Sequence, residues 1–123
     1  KSIWRVYYYL YVATDRSRLV CLNASAGTFT WDLDLGSSSH EIFRPVEVPG
    51  TPDIMVANQG KALLVDKRSG KTLATHEFGF FASTDPFVIQ NTLCVGSANY
   101  FHGLYLDPFG GSKWITAASG PRL

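Results

Sequence analysis

The sequence has few charged residues, few cysteines and no long apolar run. Charged residues make up 17% of the 123 residues and the formal net charge is +1. The chain therefore offers no broad basic surface that would attract nucleic acid or an anionic membrane. The longest apolar run, Tyr7–Ala13, is too short to cross a bilayer as a helix. We expect neither nucleic-acid binding nor a helical membrane span.

Only two cysteines are present, Cys21 and Cys94, and they fall in predicted strands far apart in the chain. Because a disulfide needs Cα atoms within about 7 Å of each other, we expect two free thiols, which leave the redox compartment open. No segment shows helical apolar spacing over three turns, which argues against a helical domain. The chain begins at Lys1 without a methionine, which favours a processed or excised segment.

What the sequence does contain is a repeated pair of β-prone segments. Apolar residues make up 46% and aromatic residues 14%, which is typical of a folded, mostly β protein. In Leu19–Trp31 two strand-like runs flank a turn of small residues, and this pattern recurs at Leu63–Ala74 and Leu104–Trp114. The residues that open the three turns, about 43 and then about 41 positions apart, are Asn23, Asp66 and Asp107. A period near 40 with four strand-like runs per copy is typical of propeller blades.

A second strand recurs at the same period, in Leu10–Thr14, Ile54–Asn58 and Leu93–Ser97. Its shared small residue indicates that one sheet packs closely on the next. We therefore predict an all-β fold, an antiparallel β-propeller segment of about three four-stranded blades in a single domain. The repeats span approximately 1–35, 36–78 and 79–116, and 117–123 is a tail. The second repeat is predicted to open with a strand over Ile42–Val48.

These segments resemble the PQQ-like (quinoprotein-type) β-propeller repeat. In that family an Ala, a Gly and a Trp of each repeat form a docking motif in which the indole stacks on the turn of the neighbouring blade. The resemblance assigns blade docking to five residues of this chain, namely Gly27, Trp31, Gly70, Gly111 and Trp114. It covers nearly the whole chain and implies the propeller fold, but the repeat serves many unrelated functions.

No copy of the repeat keeps the full docking motif. The family's Ala is replaced by Cys21, Leu64 and Tyr105 in the three copies, and its Trp is replaced by Ala74 in the second. In the third copy one residue is missing between Gly111 and the following Trp. We therefore expect blade contacts that are looser than is usual in the family.

The family name implies a quinone cofactor, but the residues do not support one. Similar quinoprotein dehydrogenases need a complete ring of blades, a vicinal cysteine pair, a calcium site and a catalytic Asp. This chain has no adjacent cysteines and only about three predicted blades. Asp32 and Asp34 share one strand face, but they alternate with apolar residues like ordinary solvated acids. The three histidines lie in different repeats, and we expect all of them on the surface: His40, His76 and His102. We expect no catalytic residue, no cofactor and no metal.

An aromatic stretch near the start of the chain is a possible interaction surface. Tyr7, Tyr9 and Tyr11 alternate, so a strand places them on one face. They could bind a partner or fill the contact between this blade and a preceding one. The sequence leaves both interpretations open.

The function predicted from these features is that of a non-catalytic scaffold that binds a protein partner or self-associates through open blade faces. Similar repeats occur in outer-membrane assembly lipoproteins, so a periplasmic or extracellular location is favoured over a cytoplasmic one. One alternative is an accessory propeller portion of a larger enzyme, either a quinoprotein dehydrogenase or an acyl-activating enzyme. Another is a module that binds a small ligand or a sugar on its aromatic surface.

Overall fold

A computed structural model describes residues 2–6, 8–14, 17–36 and 41–117. Within these ranges the chain forms twelve β-strands and no helix. The strands make three four-stranded antiparallel sheets, each built from four consecutive strands in chain order. The predicted all-β fold with three four-stranded blades is confirmed.

We call the sheets blades 1, 2 and 3. Blade 1 consists of β1 (Ser2–Val6), β2 (Tyr9–Ala13), β3 (Arg18–Asn23) and β4 (Phe29–Asp34). Blade 2 consists of β5 (Val46–Glu47), β6 (Asp53–Ala57), β7 (Lys61–Asp66) and β8 (Thr72–Glu77). Blade 3 consists of β9 (Phe87–Ile89), β10 (Thr92–Gly96), β11 (Tyr100–Leu106) and β12 (Phe109–Ala117).

The opening strand of blade 2 is much shorter than the predicted Ile42–Val48. Pro45 has no N–H to give to a strand ladder, and β5 begins at the next residue, Val46. Before it, Ile42 makes only an isolated bridge with Asn58. The expected strand is therefore a bridge followed by a two-residue strand.

The outer hairpins of blades 1 and 2 are closed by the same turn. The Asn23 side-chain oxygen accepts hydrogen bonds from the amides of Ser25 and Ala26, at 2.9 and 3.2 Å. The Asp66 carboxylate does the same for the two equivalent amides of blade 2, at 2.8 and 3.3 Å. Each turn ends at a glycine in the left-handed region, Gly27 with φ 70° and Gly70 with φ 76°. The side chain that opens the turn therefore satisfies backbone donors that would otherwise need water.

The outer hairpin of blade 3 is tighter. Leu106 pairs with Phe109, so only Asp107 and Pro108 separate the strands, and the bond between them is cis. The glycine with positive φ in this hairpin is Gly110, at 89°. The shorter turn accounts for the residue that the third repeat lacks.

The core lies between the blades. The two central strands of blade 2, β6 and β7, alternate their side chains between two covered faces. On one face Ile54, Val56, Leu63 and Val65 pack against blade 1. On the other, Met55 and Ala57 pack against a cluster that includes Leu93, Val95 and Leu104 of blade 3. Blade 2 is therefore buried on both sides, and blades 1 and 3 each contribute one face to the core.

The first strand of each blade lies nearest the common centre. A groove of about 450 Å³ is lined by residues at or beside β1, β5 and β9, including Val6, Val46 and Val88. On the periphery the last strands of blades 2 and 3, β8 and β12, contact each other. The blades thus fan out from one side, as in a sector of a propeller.

An indole over a glycine joins blade 1 to blade 2. Trp31 of β4 is buried, with 5% of its surface exposed, and its ring lies against Gly70. A Cβ added to Gly70 would lie 2.6 Å from Trp31 Cγ. The indole Nε1–H donates a 2.9 Å hydrogen bond to the carbonyl of Lys67 in the same turn. The contact therefore combines ring stacking with a directional bond.

Exchanging Gly70 for alanine measures this contact. Gly27→Ala is the matched control, because its turn has the same shape but no described atom lies within 4 Å of an added Cβ. Both variants place a Cβ in the left-handed region, which costs about 1–2 kcal/mol. Only Gly70→Ala must also displace Trp31, so we expect it to lose about 1–3 kcal/mol more free energy of unfolding. Urea unfolding of dilute protein followed by circular dichroism measures the difference, and equal losses would contradict this account of the joint.

Candidate interaction surface

The face of blade 3 turned away from blade 2 is rich in exposed apolar side chains. One row crosses all four strands, since the register pairs Phe87 with Cys94, Cys94 with Gly103 and Gly103 with Trp114. Within the described ranges, no sheet covers this row. We call it the open face of blade 3, and its large exposed side chains are Phe87, Ile89, Phe101, Tyr105 and Trp114.

Trp114 occupies in blade 3 the register position of Trp31 in blade 1. Trp31 pairs with Cys21 just before a bulge in β3–β4, and Trp114 pairs with Gly103 just before a bulge in β11–β12. Trp114 packs across Gly103 of its own sheet and remains 40% exposed. Among the described residues, no turn of a neighbouring blade packs against the indole ring of Trp114 as the Gly70 turn packs against Trp31.

Blade 1 has an uncovered apolar face and an uncovered glycine turn, which are the elements that a docking indole contacts. Its face turned away from blade 2 leaves Ile3 and Phe29 exposed and Val12 only partly buried. The equivalent Val56 of blade 2 is fully buried. On the same blade, the Gly27 turn has no described atom near the position of an added Cβ. Blade 1 thus carries a docking turn that the described residues leave uncovered.

The structure corrects the prediction of a tyrosine interaction surface. Tyr11 is fully buried between blades 1 and 2, where its ring centroid lies 5.9 Å from that of Trp31. Tyr9 is half-buried and packs against the same cluster. Tyr7 lies outside the described residues. Tyr9 and Tyr11 do share a face, but this face points toward blade 2, so the two rings belong to the contact with the following blade and not to a free surface or to a contact with a preceding one.

The second and third docking positions also differ in detail from the sequence assignment. Ala74 pairs with Leu64 at the position of the docking indole, but its methyl group is too short to cover a turn. The His76 ring, two residues further on the same face of β8, lies directly over Gly110. Gly111, which the sequence placed in this role, would meet only ordinary contacts. The signal that could have found His76 is its spacing of two residues from Ala74.

The other candidate polar groups have structural partners. Asp32 and Asp34 both pair with Arg18, at 2.6 and 3.4 Å, on the exposed side of blade 1. His102 was expected on the surface but is only 8% exposed, because it stacks on Phe80 with ring centroids 3.8 Å apart. Burial lowers the pKa of His102. His40 lies outside the described residues.

No metal centre is visible among the residues that the structure describes. In those ranges no three His, Cys, Asp or Glu side chains are close enough to hold a metal ion together. A search of the same ranges finds no helix long and apolar enough to cross a membrane. The surfaces considered below are the open face of blade 3 and the Gly27 turn of blade 1.

Three four-stranded antiparallel sheets that fan out from one side, with a docking indole between the first two, define the fold of a β-propeller segment. Comparison with solved structures agrees. BamB from Moraxella catarrhalis superposes with a TM-score of 0.73 at 13% identity, over 94% of this chain and 35% of that one. A europium-containing methanol dehydrogenase gives 0.72 at 14% identity, over 97% and 24% of the two chains.

A quinohemoprotein alcohol dehydrogenase from Comamonas testosteroni superposes with a TM-score of 0.71 at 15% identity, over 94% of this chain and 20% of that one. No protein-family model matches the sequence, and no curated protein matches it. The chain thus spans about a third or less of the length of these structures. At such low identities the likeness establishes the fold and leaves the activity open.

The two thiols should differ in reactivity. Cys21 is fully buried in the contact between blades 1 and 2, and burial raises its pKa to about 11, whereas Cys94 lies partly exposed on the open face. Both are free, as predicted. Because the thiolate is the nucleophile, we expect iodoacetamide to modify Cys94 in the folded protein and Cys21 only after unfolding. Mass spectrometry of timed samples tests this, and equal rates in the folded state would contradict the placement of Cys21.

Proposed function

We propose that this chain is a non-catalytic scaffold that binds protein partners through its open blade faces. The observation that carries the proposal is the pair of uncovered docking halves, Trp114 on blade 3 and the Gly27 turn on blade 1. Trp31 and Gly70 supply the pattern for the bound state, because they join the same two elements inside the chain. The favoured partner is another propeller-type blade, from a second copy or from another polypeptide.

The chemistry of the open face supports this proposal. Exposed aromatic side chains of this size are uncommon as a contiguous patch on a soluble monomer. Aromatic residues, and Trp above all, are enriched among the residues that dominate binding energy. Lys113 on this face is already engaged, since it donates a hydrogen bond to Thr92 at 2.9 Å and lies 5.6 Å from the Tyr105 ring centroid. Little charge on the open face of blade 3 would therefore have to be desolvated on docking.

Replacement of the docking indole tests the proposal. If Trp114 is central to the contact, Trp114→Ala should weaken self-association by about 2 kcal/mol or more, which is about 30-fold in the dissociation constant. Leu73→Ala removes an exposed apolar side chain from the middle blade and should leave association unchanged. Sedimentation equilibrium over a wide concentration range gives both constants.

Two results of that experiment would count against the scaffold proposal. One is an unaltered dissociation constant for Trp114→Ala in a variant whose circular dichroism matches the parent. The other is a parent chain that stays monomeric at high concentration and binds no hydrophobic dye. The first result would mean that Trp114 is not central to a docking surface, and the second that the open face does not dock a second copy of this chain.

The second candidate function is an accessory portion of a larger enzyme. It is favoured by the superposition on two dehydrogenases, of which this chain spans about a quarter or less. A ligand that binds only the folded state must raise its melting temperature. We expect no concentration-dependent rise with added PQQ, with or without calcium, in differential scanning fluorimetry. A rise of several degrees would favour the enzyme and contradict the proposed absence of a cofactor.

We also propose a periplasmic or extracellular location. The support is the resemblance of the repeats to those of outer-membrane assembly lipoproteins. Fractionation of cells that express the parent gene, with detection by an antibody against this chain, tests it. Recovery in the cytoplasm would contradict this location.

A further inference from the structure

The contact between blades 2 and 3 contains a cavity. Its volume is about 560 Å³, and Ala74 and Leu64 of blade 2 form part of its wall. These two residues pair with each other at the register position that Trp31 and Cys21 occupy in blade 1. The cavity therefore lies where the second repeat has a methyl group instead of a docking indole.

The cavity stays open because no neighbouring side chain fills the space that an indole at position 74 would occupy. His76 lies over Gly110 and covers that part of the turn of blade 3. Leu106 and Phe109, at the end of the same hairpin, remain as the opposite wall. The volume falls in the range of small-molecule sites, which is about 300–1,000 Å³. The space is thus large enough for a ligand with an aromatic ring.

The charged side chains of the cavity lining are all acidic. Asp53 and Asp107 are among the lining residues, and no Lys or Arg side chain contributes to the lining. Asp53 is half-buried and lies opposite a second carboxylate, Asp66, in the ladder between β6 and β7. A positive group near Asp53 would therefore be attracted rather than repelled. An apolar floor with an acidic rim suits a molecule that has a flat apolar body and a positive end.

We propose that this cavity binds a small organic amine in which an aromatic ring carries an ammonium group on a short chain. The ring fills the space beside Ala74, between Leu64 and Phe109, and the ammonium group lies toward Asp53 and Asp107. The site is separate from the proposed scaffold function, because it lies between two blades and the docking faces point outward. Either proposal can fail without the other.

Three probes that share one ring system test the charge requirement. Tryptamine has an ammonium group, indole has no charge, and indole-3-acetate has a carboxylate. We expect isothermal titration calorimetry on the full chain to give tryptamine an affinity at least tenfold higher than that of indole-3-acetate, with indole between them. Equal affinities for the three probes, or no binding of any at millimolar concentration, would overturn the proposal.

Two variants test the position of the site. Ala74→Trp supplies the missing indole and should abolish tryptamine binding. Leu73→Trp adds the same group at the neighbouring exposed position and should leave binding unchanged. Asp53→Asn should reduce the preference for tryptamine over indole-3-acetate several-fold while indole binds as before. Unaltered tryptamine binding in a folded Ala74→Trp variant would place the ligand elsewhere and refute the assignment.

The smaller change Ala74→Leu covers the case in which Ala74→Trp does not fold. It narrows the cavity with less bulk and should weaken tryptamine binding at least fivefold. Cooperative thermal unfolding by circular dichroism shows whether each variant is folded. A folded Ala74→Leu variant with the parent's affinity for tryptamine would also count against the site.

Discussion

The contact between neighbouring blades is the interaction on which the structure depends. A single four-stranded sheet has no interior, so its apolar side chains are buried only when another sheet covers them. Among the described residues two hydrophobic clusters are present, and both lie between blades, one at each face of blade 2. Stability is then a sum of contacts between nearest neighbours, as in other repeat proteins. Each residue that sets the spacing of two blades therefore matters to the whole chain.

The position of a blade in the series explains its burial pattern. In β6 of the middle blade four successive residues, Ile54–Ala57, are fully buried, because both faces of the strand are covered. In β2 of blade 1 the buried positions alternate, with Tyr11 and Ala13 on the covered face. The apolar runs of the two strands are similar in the sequence. What differs is the number of neighbouring sheets.

Much of the fold could be predicted from the sequence because its signals are local. The acidic or amide residue that opens each turn bonds to amides two and three positions later in blades 1 and 2, and this fixes a pattern that recurs with the blades. The docking indole of blade 1 was likewise visible, since a ring at that position stacks on the neighbouring turn in the resembling family. Local chemistry of this kind does not depend on which face of a sheet is covered.

The features that the sequence did not reveal depend on contacts between distant residues. The alternation of Tyr9 and Tyr11 shows that they share a face, but it does not say whether that face points inward. The burial of His102 depends on stacking with Phe80, which belongs to the link before blade 3. The place of His76 over Gly110 depends on the shorter hairpin of blade 3, which moves the glycine by one position. For His76 the spacing of two residues from Ala74 places it on the right face, but nothing within one repeat shows which glycine of blade 3 it covers.

The three copies of the repeat end in three different docking arrangements, and this difference links the fold to function. Trp31 closes the first contact by stacking on Gly70, while His76 covers only part of the second and leaves a cavity beside Ala74. Trp114 ends the series with its indole on an open face. A sheet scaffold tolerates such changes at the docking position because the rest of each interface still buries its apolar rows. The same structural position thus serves as a closed joint, as a cavity and as an exposed surface, and the last two are where binding can evolve without rebuilding the blades.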